Sequence, residues 1–73
     1  MPESVYKVIE LVGTSDESWE KAVWAAIHKA SQTLREIRVA RVVEQDVHIL
    51  SESPLALTYR VKVELSFKYE GGQ

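Results

Sequence analysis

The stretch TYRVKVELSFKY, residues 58–69, alternates without a break. Tyr59, Val61, Val63, Leu65, Phe67 and Tyr69 share one parity, and Arg60, Lys62, Glu64, Ser66 and Lys68 share the other. Successive side chains of a strand point to opposite faces, so this pattern predicts a strand with one apolar and one polar face. The strand is expected over Leu55–Tyr69. It is entered from the turn SESP (51–54), where Pro54 marks the exit. Upstream of that turn, Ile37–Leu50 is rich in valine and isoleucine and predicts a second strand. Two long strands joined by a short turn make an antiparallel hairpin.

The apolar face of the hairpin needs a cover. Trp19, Ala22, Val23, Ala26, Ile27, Ala30 and Leu34 recur at helical spacing and form one amphipathic stripe, which predicts a helix from about Asp16 to Arg35. Thr14 and Glu17 have capping-box spacing, with Ser15 as an alternative cap, and Glu20, Lys21, Lys29 and Arg35 fall on the solvated side. Trp24 is the exception. At ~100° per residue it lies ~140° from Trp19, off the stripe and near Lys21 and His28. A contact with another subunit is preferred there over a half-exposed ring leaning on lysine stems. SVYKVIELV (4–12) predicts the first strand, ending at Gly13. The Gly13-Thr14-Ser15 turn is a plain strand-to-helix connection in preference to a phosphate cradle, because it offers one glycine and adjoins Asp16 and Glu17. The order is β-α-β-β, an α+β fold with a three-stranded antiparallel sheet and one helix.

With 73 residues the chain is expected to form a single domain over 1–73, its last residues GGQ (71–73) a frayed tail. A chain this short buries only ~60% of its unfolded surface. No cysteine is present, which excludes disulfides and thiolate metal sites and leaves oligomerisation or an oxygen-ligated metal as the staple. The element lengths point the same way. A helix over 16–35 would span ~30 Å, whereas strands of 14 or 15 residues span ~46–50 Å. The strand ends would overhang the helix and meet other copies, so a homo-oligomer is expected. The net charge of −2 and the lack of a basic block argue against nucleic-acid binding. No apolar run approaches ~18 residues and MPES has no signal-segment character, so a cytoplasmic protein without membrane partners is expected.

Catalytic constellations are thin. His28 falls on the outer helix face and His48 on the second strand, neither placed beside a serine, so no enzymatic role is expected. Glu44 and Asp46 offer more. Two residues apart on a strand, they share a face, and converging carboxylates suit a hard divalent cation such as Ca²⁺. The alternative is pairing with cross-strand bases. A turn centred on 52–53 sets Gln45 opposite Arg60 and Arg41 opposite Glu64.

Taken together, VYKVIELVGTS (5–15), the helix opening SWE (18–20), IRVARVVEQD (37–46) and TYRVKVELSFK (58–68) resemble the dodecin family over nearly the whole chain, from about Val5 to Lys68. The resemblance implies a β-α-β-β fold whose sheet wraps the helix, and a hollow homododecamer. Many dodecins bind flavins in pairs and act as flavin-storage proteins. They stack the flavin on a tryptophan at a position matching Val39, and bond its ring edge through a glutamine at a position matching Arg60. Valine has no π-face and arginine cannot accept a hydrogen bond. The pattern therefore resembles the calcium dodecin subgroup more closely, with Glu44, Asp46 and Glu64 as candidate calcium ligands. In the flavin-binding alternative, Arg41 or Arg60 would hold the ring edge or a flavin phosphate. Trp24, Arg38 and Arg41 are the candidate oligomer contacts.

Overall fold

The computed structural model describes residues 3–69. Strand β1 (Tyr6–Ser15) leads to helix α1 (Trp19–Ser31), and strands β2 (Ile37–Glu52) and β3 (Leu55–Lys68) form the hairpin. The sheet is antiparallel with order β1-β3-β2. The alternating strand that opened the reading is thus the central one. The expected tail at 71–73 lies outside the described residues.

The core is one side of β3 against one side of α1. Val61, Val63 and Leu65 are buried against Ala22, Ala26 and Ala30, with Ile9, Leu11, Val23, Ile27, Leu34 and Ile37 packed around them. The alanines, at i, i+4 and i+8, let the helix axis come close to the sheet. Gly13 is buried on β1 beneath this ridge, and a Cβ there would run into the Ala22 carbonyl and lie 3.1 Å from Ala26 Cβ. Glycine at 13 is therefore a packing requirement. It does not end the strand, because β1 continues through Thr14 and Ser15, which pair with Arg60 and Tyr59.

The helix is shorter than its periodicity predicts. Neither Thr14 nor Ser15 caps it. Ser18 does, its hydroxyl accepting from the Lys21 N–H at 3.1 Å. Ser15 instead accepts from the Glu17 N–H in the connecting bend. At the other end Ser31 Oγ donates to the His28 carbonyl and Thr33 Oγ1 to that of Ala30. The N–H groups of Gln32 and Thr33 turn to the i−3 carbonyls of Lys29 and Ala30, a tightened last turn that closes the helix. Leu34 lies beyond the helix yet still reaches the core. Glu36 then adopts φ 62° and redirects the chain into β2.

Strand β2 departs most from simple alternation. Its 16 residues face only the 13 from Leu55 to Phe67, because Arg38, Val43 and Leu50 each stand without an opposite partner. Each extra residue is a bulge that bends the strand and increases its twist, so the sheet curls about the helix. The hairpin continues into residues 51 and 52, leaving a turn at Ser53–Pro54 with a cis peptide bond. The 13-residue helix spans only ~20 Å, while the longest molecular dimension is 58 Å. The overhang is therefore larger than expected. Val47, Ile49, Leu50 and Leu55 at the arm's end are all exposed, Leu55 by 67%. Among the described residues no helix is long and apolar enough to cross a membrane.

Two substitutions test this packing. Gly13→Ala should destabilise the protein by ~1–3 kcal/mol through overpacking at Ala22. Glu36→Gly should stabilise it by on the order of 1 kcal/mol, since the left-handed conformation strains a residue with a Cβ. Urea unfolding followed by circular dichroism measures both, and a Gly13→Ala protein as stable as wild type would refute the close helix–sheet approach.

Candidate functional site

The sheet face turned away from α1 carries a ladder of charge. Arg60 Nε and Nη2 donate to Asp46 Oδ1 and Oδ2 at 2.8 and 2.9 Å, a bidentate pair. Lys62 Nζ lies 3.4 Å from Glu44 Oε1. Arg41 Nη2 and Nε donate to Glu64 Oε1 at 2.8 and 3.2 Å. On β1 the register brings Val12 beside Lys62, Glu10 beside Glu64 and Val8 beside Ser66. Val12, Glu44, Asp46, Arg60 and Lys62 line a depression of about 40 Å³. One water needs about 10–15 Å³, so an ion and a water or two would fit.

The bulge at Val43 builds this face. Arg41 and Glu44 are three residues apart and would point to opposite sides of a regular strand. The extra residue restores them to one side, so Arg41, Glu44 and Asp46 all meet partners on β3. It also shifts the register by one residue. Arg41 lies opposite Glu64, as expected, but Arg60 lies opposite Asp46 and Gln45 faces Val61. The cross-strand alternative is therefore realised at every candidate carboxylate: Glu44, Asp46 and Glu64 each have a basic partner. Among the described residues no three of His, Cys, Asp or Glu converge as a metal cluster.

The Arg60 hydrogen bonds hold the Asp46 carboxyl below the ordinary carboxylate range, and Asp46 in turn raises the Arg60 guanidinium. Both groups are exposed, and exposed ion pairs contribute little to stability. Val39 stands on the same face, opposite Ser66, and is 56% exposed. Arg38 occupies a bulge and pairs with Glu36. Trp24 is 65% exposed on the outer side of α1, its ring stacked on His28 at 4.5 Å rather than on a lysine stem. Trp19, assigned to the core stripe by periodicity, sits at its rim and is 36% exposed. Its Nε1 donates to the Asp46 carbonyl oxygen at 3.2 Å and its ring meets Tyr59 edge-on at 5.1 Å. No local signal announces that link. Val12 and Glu10, also missed, follow from the parity of β1 once the strand order is known.

A depressed carboxyl pKa in the folded state gives stability that is present above the unfolded value and lost as pH falls through the folded value. The Asp46–Arg60 pair should therefore contribute at neutral pH and fade as acid drops below about pH 4. Asp46→Asn should lower stability slightly at pH 7, leave it unchanged near pH 2, and so flatten that part of the acid limb. Thermal melts across pH 2–7 check this, and superimposable acid limbs would count against the pair.

Comparison with known proteins agrees with this architecture. A family profile described as Dodecin matches residues 5–70. Calcium dodecin of Mycobacterium tuberculosis is 49% identical over 70 residues, covering 96% of both chains. Dodecin of Thermus thermophilus is 41% identical over 66 residues, covering 90% of this chain and 93% of its own. The crystal structure of the Mycobacterium calcium dodecin, described as calcium-chelating with a novel calcium-binding site, superposes with a TM-score of 0.82 at 48% identity, covering 96% of this chain and 97% of its own. Dodecin from Streptomyces coelicolor superposes with a TM-score of 0.87 at 33% identity, over 99% and 100% of the two chains. With strand order, helix placement and nearly full-length similarity in agreement, this chain belongs to the dodecin family.

Proposed function

We propose that this chain assembles as a hollow homododecamer and binds a divalent cation, calcium, at Glu44 and Asp46, with Glu64 as a third ligand. The reading rests chiefly on these carboxylates sharing one sheet face, in a chain 49% identical to a calcium dodecin. Their oxygens are the hard donors that calcium prefers. Each carboxylate is already paired, so a cation must exchange with Arg60, Lys62 or Arg41. The pairs are exposed to solvent, where ion pairs contribute little, so the exchange costs little. Calcium takes 6–8 oxygens. Glu44, Asp46 and Glu64 supply at most six, leaving the rest to water or to a neighbouring copy.

Assembly is supported by the shape of the single chain. Its radius of gyration is 15.3 Å, against about 11 Å for a compact domain of this length. Among the described residues only six hydrophobic ones are buried, while Val8, Val39, Val42, Val47, Ile49 and Leu55 are exposed. Apolar surface on that scale marks an interface, and Trp24, Arg38 and Arg41 remain the proposed contacts. Calcium is preferred over flavin because Val39 offers no ring to stack on, and the Arg60 guanidinium is occupied by Asp46.

Calorimetry on chelator-treated protein should show calcium binding that weakens at least tenfold in the Glu44→Gln/Asp46→Asn double variant. No calcium heat would overturn the cation site. Riboflavin fluorescence should stay unquenched on titration with the protein, and quenching would favour the flavin alternative. A native mass spectrum should give a single species of twelve chains, and a monomer would refute the assembly.

A further inference from the structure

The carboxylate row depends on where the β2 main chain lies at Asp46. β2 is an edge strand, so its backbone pairs on one side only, and Asp46 lies in the six-residue run Glu44–Ile49 between the bulges at Val43 and Leu50. Its carboxylate is held on the outer face by Arg60. Residues 44–46 are exposed. One side chain of α1 reaches across to this segment. Trp19 Nε1 donates to the Asp46 carbonyl oxygen at 3.2 Å, the single side-chain hydrogen bond from α1 to the sheet among the described residues. The indole is itself oriented by its edge-on contact with Tyr59, whose partner across the ladder is Val47, the neighbour of Asp46. Tyr59 belongs to the helix-side parity of β3, whereas the Asp46 carboxylate meets Arg60 on the opposite face. The indole thus grips the main chain from one side of the sheet while the carboxylate works on the other.

We propose that Trp19 is a positioning residue for the carboxylate row: it fixes the β2 backbone at Asp46 so that the Asp46 and Glu44 oxygens present together to a cation. This rests on the cation-binding reading above. Trp19 does not touch the ligand. Phenylalanine at this position would keep the packing on Tyr59 and lose only the N–H donor.

The chain has two tryptophans, so fluorotryptophan-labelled protein gives two fluorine NMR signals, assigned with Trp24→Phe. On titration with calcium chloride the Trp19 signal should shift while the Trp24 signal stays in place. Trp19→Phe should weaken calcium binding about two- to tenfold, the scale of one net hydrogen bond, and that loss should shrink in the Asp46→Asn background. Wild-type protein that takes up no calcium overturns the function reading and this inference with it. Wild-type protein that binds calcium while the Trp19 signal stays still overturns this inference alone. So does a Trp19→Phe protein with wild-type affinity, or one whose loss is undiminished in Asp46→Asn. If Trp19→Phe does not fold, the wild-type titration decides.

Discussion

Everything in this chain depends on how closely α1 can lie on the sheet. The contact is made by alanine methyls at 22, 26 and 30 over Val61, Val63 and Leu65, with Gly13 beneath Ala22. Small residues at such a contact shorten the distance between elements and gain dispersion contacts along the ridge. They also bury little area. The result is a tight seam with a small core, and a small core is a weak basis for stability at this length. The fold therefore points outward: the strands outrun the helix and carry apolar side chains that the chain itself does not cover.

The second determinant is the irregularity of β2. Three bulges let sixteen residues run against thirteen, and each changes which side chains reach which face. At Val43 the consequence is chemical. Arg41, Glu44 and Asp46 come to share one face and meet Glu64, Lys62 and Arg60 in turn. Such a face is nearly neutral yet made of weak exposed pairs. Its pairs follow the strand register and stay open to solvent. Structure and proposed function draw on the same groups.

The two tryptophans show how position changes the role of one residue type. Trp24 stacks on a neighbouring imidazole on the outer helix face. Trp19, five residues earlier, ties the start of the helix to the middle of β2. Both lie at some distance from Val39 in the chain, and neither supplies an aromatic plane at that position on the outer sheet face.

The sequence by itself determined the element order, the central strand's two faces and most of the core. Periods of two and of 3.6 residues are local properties, and Val61, Val63, Leu65 and the three alanines obey them. It also determined that Glu44 and Asp46 share a face and that Arg41 stands opposite Glu64. Only the tertiary structure decided the rest. The helix starts at the Ser18 cap and closes where the Gln32 and Thr33 N–H groups turn to i−3 carbonyls, neither of which a hydrophobic stripe registers. Asp46 rather than Gln45 meets Arg60 because a bulge moves the register by one residue. That bulge reflects the curvature needed to wrap the helix, not any signal in VVEQD itself. The Trp19–Asp46 bond joins residues 27 apart in the chain. It exists because helix and edge strand are packed together first, and only then does one N–H find one carbonyl.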